Sequence, residues 1–185
     1  MSAFANLRLR IAAFLFDYLI IAAYIIVLIA VSVLLGFGPL RTTFQGLFAN
    51  PNSGEISAFL LLVLPVILYF ALFECSSWQA TWGKRKIGIY VTNMQGERLS
   101  LGRSLVRSFI KFLPWELAHA CLWRIPGWPL DPQTPPLIIS TGLVLVWVIV
   151  GAYVISMLIS KKHQTLYDMI AGSHVVLAPQ LNRAS

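Results

Sequence analysis

The 185 residues are 58% hydrophobic and 11% charged, with a net charge of +7. A soluble domain carries about 25% charged residues, so this composition excludes an ordinary water-soluble fold. The length suits one domain over residues 1–185, and two cysteines without CxxC spacing exclude a disulfide framework.

A bilayer core about 30 Å thick takes about 20 apolar residues at about 1.5 Å each. Residues 11–35 meet that length. The run is too long for a signal-peptide core, contains Asp17 and ends without a small-residue cleavage site, so it reads as a retained first span. Gly36 to Glu55 is expected outside. Residues 56–74 form a second span, with Pro65 in its middle. That proline removes a backbone bond and predicts a kink.

The connection from Cys75 to Arg103 is the sizeable soluble piece. Lys84, Arg85 and Lys86 make it a cytoplasmic basic loop. Within KIGIYVTNMQGERLSL, two short β-prone runs flank Met94-Gln95-Gly96 and predict a hairpin. Residues 104–123 are apolar but carry Arg107, Lys111, Glu116 and His119, with Pro114 among them. Arg103, Arg107 and Lys111 are four apart and predict one basic stripe. Such a helix lies in the interface or crosses with its polar side facing inward. Residues 137–160 are the cleanest span. Beyond Lys161 and Lys162 the chain turns amphipathic, with Leu166, Met169 and Ile170 expected to bury one side and Gly172 to stop the helix. No internal repeat is visible.

Charge bias decides topology. Arg8 and Arg10 precede the first span, Lys84 to Arg103 follow the second, and Lys161 and Lys162 follow the last. The other two connections hold only Arg41 and Arg124. If 104–123 crosses, every basic cluster lies on one side. The expected fold is therefore an all-α membrane protein: a bundle of about four transmembrane helices, a short cytoplasmic β-hairpin loop and a C-terminal amphipathic segment. It sits in a bacterial inner membrane with both termini cytoplasmic. The basic residues thus serve topology, and no nucleic acid is expected.

A charge at the bilayer centre costs about 2.5–3.5 kcal/mol. Arg10 and Asp17 are about 20° from two full turns apart, so they share a face. Their backbones are about 10.5 Å apart along the axis, long for a direct pair, and Arg10 is expected within salt-bridge reach of Asp17 or Asp168. A group from another helix should bridge or neutralise them. Asp168 is expected near Arg10, and Glu74 ends the second span. Glu116 and His119 share one face of the 104–123 helix, and Arg107 on the same helix is a further candidate. These groups either fix helix packing as internal ion pairs or titrate along a transport path. Glu116-x-x-His119 matches half of a carboxylate-bridged metal site, but there is no second copy and no metal or other cofactor is expected. TWGKRKIG looks like a phosphate-binding loop only superficially, lacking the spacing and the hydroxyl after the lysine. No nucleophile–base arrangement can be read, so an enzyme is not expected.

Arg10 and Asp17 in RIAAFLFD, Asp168 in QTLYDMIAGSHVV, the TWGKRKIGIYV segment and the GERLSLGRSLVR that follows resemble, in order, the motifs of the RDD family of bacterial membrane proteins. The resemblance runs from about Arg10 to Val176. It implies a compact helical membrane domain, and transport, including cation/proton antiport, as a function suggested for some members. PWELAHACLWRIPGW departs from the family pattern and marks a subgroup with its own partner or substrate. The expected function is exchange of monovalent cations for protons. The alternative is a non-enzymatic accessory or assembly module that binds a protein partner or lipid. Expected partners are membrane lipids, cations and protons, and a second copy or another membrane protein.

Overall fold

The computed structural model describes residues 4–128 and 131–178. Pro129 and Leu130, within the connection Arg124 to Pro136 that the charge bias also predicts to be outside, lie outside the described residues. The elements run α1 (Leu7–Phe37), α2 (Arg41–Gly46), α3 (Pro51–Ala58), a π-helical stretch (Phe59–Val63), α4 (Leu64–Cys75), α5 (Trp82–Ile87), β1 (Ile89–Asn93), α6 (Leu101–Leu122), α7 (Leu137–Ile159), α8 (Leu166–Ala171) and β2 (Ser173–Leu177).

Among the described residues three helices are long and apolar enough to cross a membrane: Leu7–Phe37, Pro51–Cys75 and Leu137–Ile159. Their side chains are largely exposed, Leu34 and Trp147 by more than two-thirds, which lipid tolerates and water does not. The chain is a multi-pass membrane protein. The second of these helices starts at Pro51, earlier than residue 56, because Asn50 caps it. The Asn50 side chain accepts from the Ser53 backbone, Ser53 reciprocates, and Pro51 sits in the first turn. Helix α6 has 22 residues, about 33 Å, but its charges set it apart from those three.

The contacts divide the chain into two units. The first comprises residues 1–20, 68–110 and 152–185. Its core is Ala5, Ala13, Ile89, Val91, Leu99 and Val175. Here the expected hairpin is corrected. The turn at Met94-Gln95-Gly96 is present, and so is a short antiparallel β pair. The partner of β1, however, is β2, with Ile89 opposite Leu177, Val91 opposite Val175 and Asn93 opposite Ser173. Residues 97–100 turn directly into α6, and Leu99 is buried in the core. The second unit comprises residues 21–67 and 111–151. Its core holds Cys121, Ile125 and Ile139, with Leu117 and Trp128 against them.

A repeat invisible in the sequence emerges from the element order. Long helix, long helix, short helix, glycine, strand occurs twice: α1, α3–α4, α5, β1 and then α6, α7, α8, β2. The landmarks keep a constant spacing, with span ends at 75 and 159, N-caps at Thr81 and Thr165, left-handed glycine caps at Gly88 and Gly172, and strand starts at 89 and 173. Exchanging the copies maps the β1–β2 register onto itself about the Val91–Val175 pair. Both glycines have positive φ, +75° and +60°, which lets each short helix stop and enter its strand at once.

Prolines inside membrane helices leave a carbonyl without its donor, and lipid supplies none. Pro65 frees the carbonyl of Leu61, and the Tyr24 hydroxyl donates to it. The π-helical stretch just before Pro65 absorbs the irregularity expected as a kink. Pro114 frees the carbonyl of Ile110, and the Tyr153 hydroxyl donates to that one at 2.5 Å. Tyr153→Phe is therefore expected to cost about 0.6–1.7 kcal/mol, read as a lower thermal midpoint in detergent. In a Pro114→Ala background the helix regains its own donor to Ile110, and the cost of Tyr153→Phe should vanish. An unchanged cost there would disprove the pairing.

Candidate functional site

The first unit holds a linear chain of alternating charge. Arg10 on α1 places Nη1 2.5 Å from Asp168 Oδ2 and donates to the carbonyls of His163 at 2.7 Å and Ala5 at 3.3 Å. Arg107 on α6 reaches Asp168 Oδ1 with Nη2 at 2.7 Å and Nε at 2.9 Å. Its Nη1 pairs with Glu74 Oε2 at the end of α4. Glu74 Oε1 accepts from Lys84 Nζ of α5 at 2.7 Å. Glu74 and Asp168 are 0% exposed and Arg107 is 1%. Each carboxylate thus lies between two cations, which offsets the cost of removing it from water.

Local sequence explains the placement. Thr165 and Asp168 form a capping box at the start of α8, which pins the Asp168 carboxylate toward α1 and α6. Ser173, opening β2, accepts from Arg107 Nε at 3.2 Å and donates to Asp168 Oδ1 at 3.3 Å. Burial alone would raise the Asp168 pKa. The Arg107 and Arg10 guanidinium groups outweigh it and hold the carboxyl well below the usual carboxylate range.

Asp17 stands in a separate cradle. Its Oδ1 accepts from the Gly83 backbone at 2.7 Å and from the Tyr69 hydroxyl at 2.9 Å, and its Oδ2 accepts from the Thr81 hydroxyl at 2.6 Å. It is 1% exposed. Thr81 also caps α5, and a Cβ on Gly83 would lie 2.1 Å from the carbonyl oxygen of Ala13. The loop that looked superficially like a phosphate site therefore receives a carboxylate from within the chain. Thr81 supplies a hydroxyl, Gly83 a bare amide, and Lys84 turns away to Glu74.

Arg10 meets Asp168, one of the two carboxylates expected within its reach, while hydroxyls and an amide satisfy Asp17. Other expectations change. The basic loop is the helix α5, with Lys84 buried and Arg85 and Lys86 exposed, lying over the rings of Trp78 at 4.2 Å and Trp82 at 5.4 Å. The basic stripe is split, since Arg103 is exposed while Arg107 is buried. The α8 helix buries Asp168 and Ala171 and exposes Leu166, Met169 and Ile170, the reverse of the expected face. Glu116 and His119 belong to the second unit and join none of these pairs. His119 Nδ1 lies 3.1 Å from the Trp115 carbonyl, and Glu116 Oε2 is buried with no hydrogen-bond partner among the described residues. Nearby in the sequence, Arg124 pairs with Glu55 at 2.6 Å. The sequence reading missed Tyr69, Thr81, Gly83 and Ser173. The signal for two of them was the Thr-x-Gly of a helix N-cap. Among the described residues no three His, Cys, Asp or Glu side chains are placed to hold a metal ion.

A multi-pass helical membrane protein with a chain of alternating charge, three cations around two buried carboxylates, is the class these features define. The chain belongs to the RDD family, whose model matches residues 4–172. It is also similar to a Bacillus subtilis (strain 168) protein described as "Uncharacterized protein YxaI", at 30% identity over 115 residues covering 59% of this chain and 76% of that one. No solved structure matches.

Proposed function

We propose that the protein is a non-enzymatic accessory or assembly module of the bacterial inner membrane, with α6 as a fourth span and both termini cytoplasmic. The observation that carries this reading is the saturation of its buried carboxylates. Asp17 accepts three internal hydrogen bonds, while Glu74 and Asp168 each lie between two cations. A transported cation would have to displace these donors. As internal pairs they join the two repeats instead, Arg10 to Asp168 and Glu74 to Arg107, leaving the outer surfaces for lipid and a membrane partner.

Exchange of monovalent cations for protons is the second reading, supported by the unpartnered Glu116 Oε2 in α6. Proteoliposomes with an imposed pH gradient separate the two. The module is expected to hold the gradient as well as empty vesicles do when sodium or potassium is added, across about pH 6 to 9, a window around carboxylate and histidine titration. Dissipation that is lost in Asp17→Asn or Glu116→Gln, with the fold intact, establishes exchange instead. In the same preparation a cysteine placed at Lys161 should be labelled only from the cytoplasmic side, and outside labelling rules out four spans.

A further inference from the structure

A groove of about 310 Å³ runs between Gly102, Arg103 and Val106 of α6 and Met169 to Gly172 of α8. Its volume is at the lower end of the range that holds small ligands. Its walls are apolar: Val106, Met169 and Ile170 are all exposed large side chains, Ile170 by 63%. At its head stands Arg103, which is exposed and forms no ion pair among the described residues. Among the described residues no carboxylate lines the groove.

We propose that this groove binds one anionic phospholipid of the adjoining leaflet. The phosphate sits on the Arg103 guanidinium beside the first turn of α6, and the start of an acyl chain lies against Val106, Met169 and Ile170. Charge complementarity selects the headgroup: the guanidinium is a forked donor matched to phosphate oxygens, and the positive end of a 22-residue helix adds to it. The apolar walls select a lipid over a soluble anion, which would leave those side chains in water. They continue into the exposed Phe109 farther along α6, so a chain entering the groove follows lipid-facing surface. Lys161 and Lys162, exposed just past the end of α7, raise the local concentration of anionic lipid by their surface attraction. The inference names a ligand for the module reading without requiring it, because an exchanger would carry the same groove.

Gly102 gives a clean test. A Cβ there meets nothing within 4 Å, so Gly102→Leu keeps the fold and fills the space. Purified protein in detergent is mixed with matched-chain phosphatidylglycerol and phosphatidylcholine, and bound lipid is counted by native mass spectrometry. Thermal midpoints confirm folding. The full chain should prefer phosphatidylglycerol by roughly fivefold, the scale of one basic side chain at a membrane surface. Arg103→Gln should bring the ratio near one, Gly102→Leu should reduce binding of both lipids, and Arg98→Gln should leave the ratio unchanged. Equal retention of the two lipids by the full chain overturns the proposal. So does a preference that survives Arg103→Gln, or displacement of the lipid by glycerol phosphate alone at equal concentration. The readout involves no ion gradient, so its failure is distinct from a failure of the module reading.

Discussion

Arg107→Ala is expected to abolish recovery of folded protein. Removing one partner of a buried pair costs about 3–5 kcal/mol, and Arg107 serves both Glu74 and Asp168. Its loss would leave each with one cation instead of two, in surroundings that exclude water. That cost is comparable to the whole stability of many domains. The measurement is the yield of monodisperse protein after detergent extraction, with the thermal midpoint of whatever survives. Arg98→Ala, at an exposed position, should stay within about 0.5 kcal/mol of the parent. Arg107→Lys should recover only part of the yield, since an ammonium is a point charge and cannot bond both carboxylates in the forked geometry. If Arg107→Ala and Arg98→Ala behave alike, the charge chain does not hold the fold. The pH dependence follows from Asp168. Its folded pKa is depressed below the ordinary 3.8, so its contribution is complete above about pH 4. It is lost only as pH falls through the lower folded value. Across the neutral range Asp168 should add no slope to the stability of the parent.

Gly83→Ala is the second large effect. The added methyl would sit 2.1 Å from the Ala13 carbonyl oxygen and 2.8 Å from the Asp17 carboxyl carbon. Both belong to α1, and a backbone oxygen cannot rotate away as a side chain can. Overpacking costs about 1–3 kcal/mol. Pushing α5 off α1 also breaks the Gly83 amide bond to Asp17, and a bond to a charged group contributes about 1.5–3 kcal/mol. Gly151→Ala in α7 is the matched control, since nothing lies within 4 Å of its Cβ. It should be neutral or stabilising by up to about 1 kcal/mol. Equal thermal midpoints for the two variants would show that α5 does not approach α1 this closely.

The sequence by itself determined what depends on neighbouring residues. Apolar run length settles that residues 11–35, 56–74 and 137–160 are helices suited to lipid, because each must bond its own backbone there. Thr81 and Thr165 with Gly88 and Gly172 bound the short helices, and Gly172 was readable as a stop. The motif residues Arg10, Asp17 and Asp168 were legible as a set, and Thr81–Lys84 as a motif segment, though not the bonds that Thr81 and Gly83 give to Asp17. Only the tertiary structure decided who meets whom. Several β-prone runs compete for β1, and β2 wins although it lies about 80 residues on, because burying Val91 against Val175 and Ala5 completes the core of that unit. Lys84 read as part of a basic loop and Arg107 as a candidate ion-pair member without a named partner, until Glu74 and Asp168 supply their partners. The repeat stayed hidden because equivalent positions carry different chemistry, Gly83 against Tyr167 and Lys84 against Asp168. Backbone order and turn geometry persist through such exchanges, since caps and glycines set them, whereas pairing depends on side chains brought together from distant parts of the chain.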